Sequence, residues 1–439
     1  MRWQGWLLSG VYTVPSESPR PRPDYAPNPA QLSPYAKVID MTSAAALPSR
    51  FRLVPMRPRD PGEEGRAASS LELFFDLVFV IAVSIAASHL HDTVTAGHLG
   101  EGLAKYLMIF FAIWWAWMNF TWFATSFDTD DWLYRVMTIV QMGGVLILAA
   151  GIGPVFADEN FLILIIGYIL MRVVMIAQWL RASLHAGRAR RATVIYACGI
   201  GIVQVLWVAW MIIDDRMMST LVFLILVLAE VAIPVIAEAR GTTPWHPEHI
   251  TERYGCFTII VLGESMLASA NAVFGAFEDS EDIVSLVSLG VLSLIVTAAM
   301  WWIYFWPPHH RAIGGLGGSL AYGYGHYAIF AAAGAFSAGV GIEVDSQLGN
   351  SAIDPDLATF MVSVPIAVFV LGVWMLAIRP SAGGVVNAIV PICAVLVLCD
   401  PLIPIPTFLT TFFMVIIVIT LVGASPKGDK SSTGAEVRA

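Results

Sequence analysis

Long apolar segments recur along the chain between residues 71 and 423, and they constrain its fold more than any other feature. An α-helix needs about 20 mostly apolar residues to cross roughly 30 Å of hydrocarbon, and these segments have that length. Backbone groups in lipid must hydrogen-bond within their own segment, so long unbroken apolar runs indicate helices rather than the short alternating strands of a β-barrel. The sequence predicts an all-α integral membrane protein with about twelve transmembrane helices. Their approximate spans are 71–90, 103–125, 134–156, 160–180, 193–213, 218–237, 254–275, 283–306, 319–341, 357–377, 382–399 and 403–423.

The composition agrees with a multi-pass membrane protein. Hydrophobic residues make up 57% of the chain and charged residues only 13%, which lies outside the usual composition of soluble domains. The formal net charge of −9 gives the chain no overall attraction to nucleic acid. We therefore expect the lipid bilayer and an unidentified small solute or ion as partners, and no nucleic acid.

The distribution of basic residues predicts that both termini are cytoplasmic. With that orientation, all but two of the 24 Lys and Arg residues lie on the inner side, and the two exceptions are Lys105 and Arg216. The predicted exterior loops are acidic, at 214–216, 278–282 and 343–345. Because an odd number of helices would disturb this alternation, it favours twelve spans.

The chain divides into two predicted six-helix halves, 71–240 and 254–424, joined by a cytoplasmic linker at 241–253. Residues 1–70 and 425–439 are predicted to be disordered cytoplasmic tails, because their polar stretches, Pro-rich in the first tail, bury too little apolar surface to fold alone. The sequence leaves three alternative starts open, at Met1, Met41 and Met56.

A parallel repeat is predicted for the two halves, because six helices return the chain to its starting side. The second helix of each half carries a tryptophan pair, beginning at Trp114 and Trp301. Chance matching between apolar helices is the alternative explanation. Three residue pairs align the first helix with the seventh, namely Glu72 with Glu252, Phe74 with Tyr254, and Leu77 with Phe257.

Two acids stand at the start of the first apolar segment. Ser69 and Glu72 have the spacing of a capping box, which explains Glu72. Asp76 lies one turn deeper on the same helical face, about 6 Å further along the axis, and needs a partner. The basic residues at that depth are Arg135, Arg172 and Arg253. A pair between Asp76 and one of them would be either a structural ion pair or part of an inner gate. The candidate gate or ion-pair residues are therefore Glu72, Asp76, Glu252, Arg253, Arg135 and Arg172.

Two further acids are predicted near the middle of the bilayer. Glu264 lies in the seventh helix beside Gly263, which allows close approach of a helix or ligand. Glu230 lies in the sixth helix before Pro234, a predicted kink. Together, the two carboxylates would be able to bind a cation or share a proton, and the alternative is that each is simply protonated or hydrogen-bonded in the core. The candidate binding residues for a substrate or ion are Glu264, Glu230, Ser265 and Gly263.

Neither a metal nor a cofactor is predicted. The motif HLHD at 89–92 lacks a full ligand set. HPEH at 246–249 is expected in a loop, because Pro247 would prevent the regular helix that an HExxH site uses. The chain also has no phosphate-binding glycine loop and no GxSxG motif, so no catalytic residue is assigned and ATP-driven transport is not expected.

Three blocks of sequence resemble the bacterial low temperature requirement A proteins: LELFFDLVFVIAV from residue 71, FDTDDWLYR from residue 127, and HITERYGCFTIIVLGESMLA from residue 249. The resemblance covers nearly all of 56–424. It implies a polytopic bacterial inner-membrane protein, named after a growth phenotype, with no settled reaction. The positions that match the family's motifs are Glu72, Phe75, Asp76, Glu252, Arg253, Tyr254, Gly263, Glu264 and Ser265.

Our leading hypothesis is a secondary transporter or permease for a small solute or ion, coupled to protons or cations. It depends on the two predicted halves and on the intramembrane acids. The alternatives are a membrane-embedded enzyme that acts on lipids and a non-catalytic protein that adjusts the envelope in the cold. The enzyme would require carboxylate or histidine groups gathered at one headgroup level.

Overall fold

The computed structural model describes residues 53–213, 215–276, 283–403, 405 and 407–426. Within those ranges, the backbone is helical or irregular and forms no β-strand. The α-helices are, in chain order, α1 (Ser70–Thr95), α2 (Leu99–Phe127), α3 (Trp132–Ala150), α4 (Ile152–Asp158), α5 (Leu162–Ser183), α6 (Arg190–Trp210), α7 (Arg216–Arg240), α8 (Pro247–Ala276), α9 (Ile283–Phe305), α10 (Gly315–Gln347), α11 (Pro355–Val373), α12 (Arg379–Ser381), α13 (Gly384–Leu396) and α14 (Phe408–Val422).

Eleven helical stretches in the described ranges are long and apolar enough to cross a membrane, so the chain is a polytopic helical membrane protein. Two of these stretches join consecutive helices: Trp132–Asp158 contains α3 and α4, and Pro355–Ser381 contains α11 and α12. The twelfth predicted span, 403–423, contains α14, which has 15 residues and is about 22 Å long. Because α14 is shorter than the roughly 30 Å hydrocarbon core, the count of twelve and the cytoplasmic termini stay predictions.

The first helix begins where the sequence predicted a capping box. Ser69 Oγ accepts a hydrogen bond from the Glu72 backbone N–H, and Glu72 Oε2 accepts one from the Ser69 backbone N–H at 2.8 Å. These contacts satisfy two of the N–H groups that a helix start leaves without an intrahelical partner. The capping box is confirmed.

The helices differ strongly in how much protein covers them. In an apolar 18-residue stretch of α10, 83% is buried inside the protein. This helix packs against α1, α8 and α11 at the centre of the bundle. In the corresponding stretch of α7, by contrast, only 28% is buried. Leu221, Leu224 and Leu228 of α7 are each more than half exposed, so the chain itself leaves most of this helix uncovered.

Residues 53–69 pack across the end of the bundle where α1 begins and α2 ends, which we call the amino-terminal face. The Arg59 backbone N–H donates to the Ser126 carbonyl at 3.0 Å, the Val54 N–H donates to Asp131 Oδ2 at 3.0 Å, and Met56 is fully buried. The prediction of a disordered tail over 1–70 therefore extends too far, because paired polar groups order this segment despite its prolines. Residues 1–52 of that tail, and 427–439 of the other, lie outside the described residues.

The predicted alignment of the two halves gains no support from burial. Glu72 is buried whereas Glu252 is exposed, and Phe74 is 52% exposed whereas Tyr254 is fully buried. The tryptophan pairs differ in the same way, since Trp114 is buried and Trp301 is 46% exposed. Because the matched residues lie on helix faces of opposite environment, the parallel repeat stays a prediction.

The contact between α10 and α11 gives the first testable prediction. A Cβ atom added at Gly339 would overlap the Met361 carbonyl oxygen, which is backbone and cannot rotate away. We expect Gly339→Ala to lower the free energy of unfolding by about 1–3 kcal/mol, the usual effect of overpacking. The measurement is thermal unfolding of the purified protein in detergent.

Gly317→Ala in the same helix is the matched control, because a Cβ atom there meets nothing within 4 Å. Equal unfolding temperatures for the two variants would contradict the close approach of α10 and α11.

Candidate functional site

Arg253 is the centre of a buried ion cluster formed by α1 and α8. Its side chain is fully buried, and its Nε and Nη2 atoms donate to the two oxygens of Asp76 at 3.0 and 2.5 Å. Its Nη1 atom donates to Glu72 Oε1 at 2.8 Å. Both acids reach the same guanidinium because residues four apart in a helix lie on one face. We call Arg253, Glu72 and Asp76 the Arg253 cluster.

Side chains from α2 and from the first turn of α8 complete the hydrogen bonding of the cluster. Trp117 Nε1 donates to Asp76 Oδ1 at 2.7 Å. His249 Nε2 lies 3.4 Å from Glu72 Oε2, and its Nδ1 lies 3.0 Å from Thr125 Oγ1. Removing a charge from water costs several kcal/mol, and such contacts offset that cost only when they satisfy the remaining lone pairs. The cluster therefore links α1, α2 and α8 at the amino-terminal face.

His249 is a site residue that the sequence interpretation missed. The expectation that Pro247 keeps HPEH out of a helix is wrong, because α8 begins at Pro247. Proline is favoured at the first helical position, where its missing N–H has no partner to lose. The available signal was the spacing: His249 precedes Arg253 by four residues, so the two side chains share a helix face.

The two other basic residues considered for Asp76 have different partners. Arg135 forms an ion pair with Asp130 at 2.7 Å, and both side chains are more than half exposed. Arg172 lies on α5 and forms a fully buried ion pair with Glu230 at 3.1 Å. The acid next to Arg253, Glu252, is exposed and accepts a hydrogen bond from the Ala68 backbone N–H. Of the three candidates, Arg253 is the partner of Asp76.

Glu230 is held by a separate polar group inside the first half of the chain. Besides Arg172, it accepts hydrogen bonds from Trp115 Nε1 at 2.8 Å and from Trp207 Nε1 at 3.3 Å. Arg172 also bonds to the Tyr168 hydroxyl. The acid is thus neutralised by a cation and held by two indole groups, which leaves it poorly suited to exchange a proton or an ion.

Glu264 lies in the middle of α8 and is only partly buried. Its Oε1 atom accepts a hydrogen bond of 2.5 Å from the Ser84 hydroxyl, in the middle of α1. The neighbouring Met266 and Leu267 are 42% and 56% exposed, so this part of α8 lies on the perimeter of the bundle. Among the described residues, Glu264 and Glu230 have different hydrogen-bond and ion-pair partners. The two acids therefore do not form the expected shared site for a cation or proton.

The two residues beside Glu264 have different surroundings. Ser265 is buried and its hydroxyl contacts the Ala333 carbonyl of α10 at 3.1 Å, so it points into the bundle. Gly263 is exposed, and a Cβ atom there would meet no described atom within 4 Å. The expected close approach of a neighbouring helix at Gly263 is therefore wrong, since this position faces open space.

Two histidines and two tyrosines form a hydrogen-bonded chain between α9 and α10. The Tyr322 hydroxyl lies 3.1 Å from His309 Nδ1, and His309 Nε2 donates to the Tyr304 carbonyl at 2.6 Å. The Tyr304 hydroxyl lies 3.0 Å from His326 Nε2. A neutral imidazole can take part in both of its contacts, with one nitrogen as donor and the other as acceptor. Burial lowers the pKa of His309, which lies between α9 and α10, to about 4.

No group of three or more His, Cys, Asp or Glu side chains in the described part of the chain is arranged to hold a metal ion. In the HLHD motif at 89–92, His91 instead lies 3.0 Å from Asp345, near the end of α10.

Comparison with known proteins identifies the family. Residues 67–423 match the family model described as bacterial low temperature requirement A protein, which confirms the resemblance of the sequence motifs. The matched range includes the Arg253 cluster, Glu230 and Glu264. An uncharacterized protein of Rhizobium meliloti (strain 1021) is 28% identical over 253 residues, or 56% of this chain. The match spans 60% of that relative's length.

Removal of Arg253 is expected to destabilise the protein strongly. Arg253→Met leaves Glu72 and Asp76 buried without their shared cation, and breaking a buried pair in this way costs about 3–5 kcal/mol. The measurement is the apparent unfolding temperature and the monodisperse yield in detergent. Arg135→Met is the matched control, because an exposed pair contributes about 0–1 kcal/mol. Similar losses in the two variants would contradict a special role for the Arg253 cluster.

The lowered pKa of His309 predicts a pH dependence of stability. An unfolded histidine binds its proton near pH 6.5, whereas folded His309 binds one only near pH 4. Between these values the unfolded state holds the extra proton, so the stability from His309 is lost as the pH falls. We expect the free energy of unfolding of His309→Gln to change less steeply with pH over this range than that of the wild type. His310→Gln, at an exposed neighbour, should keep the wild-type slope, and identical slopes in all three proteins would contradict the assignment.

Proposed function

The chain belongs to the bacterial low temperature requirement A family, and we propose that it is a secondary transporter or permease of the bacterial inner membrane. In this proposal it moves a small solute or ion and couples that movement to protons or cations. The observation that supports the proposal is the Glu264 carboxylate, which lies in the middle of a spanning helix with the Ser84 hydroxyl as its hydrogen-bond partner. Ionisable groups at such positions are costly and commonly mark a pathway for ions or protons.

The other intramembrane acids proposed for the site are committed to arginines. A proton on Asp76 or Glu72 would weaken the pairing of Arg253, and a proton on Glu230 would weaken that of Arg172. No described Lys or Arg side chain forms an ion pair with Glu264. Glu264 is therefore the acid that can change its protonation state without leaving a buried cation unpaired.

The partner of Glu264 suits both protonation states. A serine hydroxyl can donate to a carboxylate, and it can also accept a hydrogen bond from a carboxylic acid. The contact between Ser84 and Glu264 therefore survives the gain of a proton, with the direction of the bond reversed. Glu264 is only partly buried, and in this proposal a proton or cation reaches the group from its exposed side.

The Arg253 cluster and Glu264 act on the same pair of helices. Asp76 and Ser84 both lie on α1, and Arg253 and Glu264 both lie on α8. We propose that the cluster fixes the two helices at the amino-terminal face while the Ser84–Glu264 contact responds to protonation or cargo nearer the midplane. In this arrangement the cluster is a structural pair or an inner gate, and Glu264 is the exchanging acid.

An enzyme that acts on lipids is the second candidate, because His246, His249 and Glu72 gather near the amino-terminal face. Histidine and carboxylate groups at one headgroup level are what general acid–base catalysis on a lipid would require. This alternative expects turnover of phospholipids by the purified protein, with no requirement for Glu264.

Proton movement in proteoliposomes tests the proposed role of Glu264. The purified full chain is reconstituted with a pH-sensitive dye inside, a pH gradient is imposed, and Na⁺ or K⁺ is added as a candidate coupling ion. We expect Glu264→Gln to reduce the dye response to that of empty liposomes, because the amide cannot exchange a proton. Glu248→Gln, at an exposed position in the first turn of α8, should leave the response unchanged.

Two outcomes count against the transporter. A folded Glu264→Gln variant with unchanged flux removes the acid from the mechanism. If Glu264→Gln alters the folding yield and nothing else, the non-catalytic alternative gains support instead.

A further inference from the structure

A cleft lined with aromatic side chains lies near the amino-terminal face, and Glu264 does not line it. Residues of α2, α5, α6, α7 and α10 line it, together with the connection between α7 and α8. We call it the aromatic cleft. Its aromatic residues are Trp122, Trp179, Tyr196, Trp245 and Tyr324.

The aromatic cleft contains one carboxylate, that of Glu238. Its Oε1 atom accepts hydrogen bonds from the Tyr196 hydroxyl at 3.0 Å and from the Thr243 hydroxyl at 2.7 Å, and its Oε2 atom accepts one from the Thr243 backbone N–H at 2.9 Å. The side chain is 9% exposed, and no described Lys or Arg forms an ion pair with it. Burial disfavours the charged form of Glu238 and the three donors favour it, and no described cation neutralises the charge, so a cationic ligand would stabilise it.

The indole N–H of Trp179, which also lines the cleft, has no hydrogen-bond partner among the described residues. Trp179 is 3% exposed. The face of its ring stacks on Tyr196, with centroids 4.2 Å apart and planes 6° from parallel. This unpaired N–H is free to donate to a bound ligand that supplies an acceptor.

We propose that the aromatic cleft binds a small organic cation, either a protonated amine or a quaternary ammonium. Aromatic rings attract such cations through their negative faces, and a nearby carboxylate neutralises the remaining charge. Trp122 and Trp245 stand edge to face, 6.2 Å apart, and form one wall of the cleft. A polar group on the ligand would accept the hydrogen bond of Trp179.

Other classes of ligand fit the cleft less well. Calcium requires six or more oxygen ligands and magnesium keeps a shell of oxygens, whereas the cleft supplies one carboxylate among aromatic rings. An anion would be repelled by Glu238. A neutral apolar molecule would use the rings but would leave Glu238 without a counter-charge.

This inference concerns binding and does not depend on the proposed transport. Choline is the probe, because it carries a quaternary ammonium and one hydroxyl group. Its control is the uncharged isostere in which carbon replaces the nitrogen, since this molecule has the same shape and hydroxyl group. Binding of each is measured by calorimetric titration of the purified full chain in detergent.

Substitution of Glu238 tests the charge. We expect Glu238→Gln to weaken choline binding by roughly tenfold or more, because the amide keeps the hydrogen-bonding shape and removes the negative charge. Glu343→Gln is the matched control, since Glu343 is a buried acid held by Thr359 and Gln347 elsewhere in the bundle. This control should bind choline as the wild type does.

Substitution of Trp245 tests the aromatic wall without disturbing the core. Trp245 lies in the connection between α7 and α8 and is only partly buried, so Trp245→Leu should fold. We expect it to weaken choline binding severalfold, while Trp301→Leu, at an exposed position of α9, leaves binding unchanged. Equal binding of choline and its uncharged isostere, no binding of either, or unchanged affinity in folded Glu238→Gln and Trp245→Leu would each overturn the proposal.

Discussion

A guanidinium buried between two carboxylates fixes the helices around which the rest of this protein is arranged. Arg253 is fully buried, and in a medium of low dielectric constant its charge is tolerated only because Glu72 and Asp76 face it. The three charges therefore determine how α1 and α8 are rotated about their axes and how far one can slide past the other. Trp117 adds α2 to this arrangement, since its indole N–H donates to the same Asp76 oxygen that Arg253 contacts.

The acids inside the bundle fall into two groups with different consequences. Glu72, Asp76 and Glu230 face arginines and hold helices together, so a change in their protonation would oppose folding. Glu264 and Glu238 accept hydrogen bonds from hydroxyl and amide donors and form no ion pair with a described Lys or Arg. Pairing with arginine therefore ties the first group to stability, and our two proposals concern the second group.

The sequence predicted the architecture well because the length of an apolar segment follows directly from the thickness of a bilayer. It also predicted the capping box at Ser69, which depends on residues three apart, and Arg253 among three possible partners of Asp76. Helix rotation was harder to predict, since a spanning helix is apolar both where it meets lipid and where it meets protein. Phe74 is 52% exposed whereas Phe75 is fully buried, and nothing in their chemistry distinguishes them. The contact of Trp117 was missed because it joins residues far apart in the chain, whereas that of His249 was missed because Pro247 was expected to prevent a helix there.

The sparse protein cover of α7 makes its position a property of the surrounding lipid as well as of the chain. Its two buried acids, Glu230 and Glu238, bind Arg172 of α5 and Tyr196 of α6, while Leu221, Leu224 and Leu228 are exposed. A spanning helix with so little protein cover can change its tilt when the hydrophobic thickness of the bilayer changes, at a cost of fractions of a kcal/mol per Å of mismatch. Because Pro234 and Glu238 of this helix line the aromatic cleft, such a change of tilt would alter the width of the cleft without any contact between a lipid headgroup and the cleft itself.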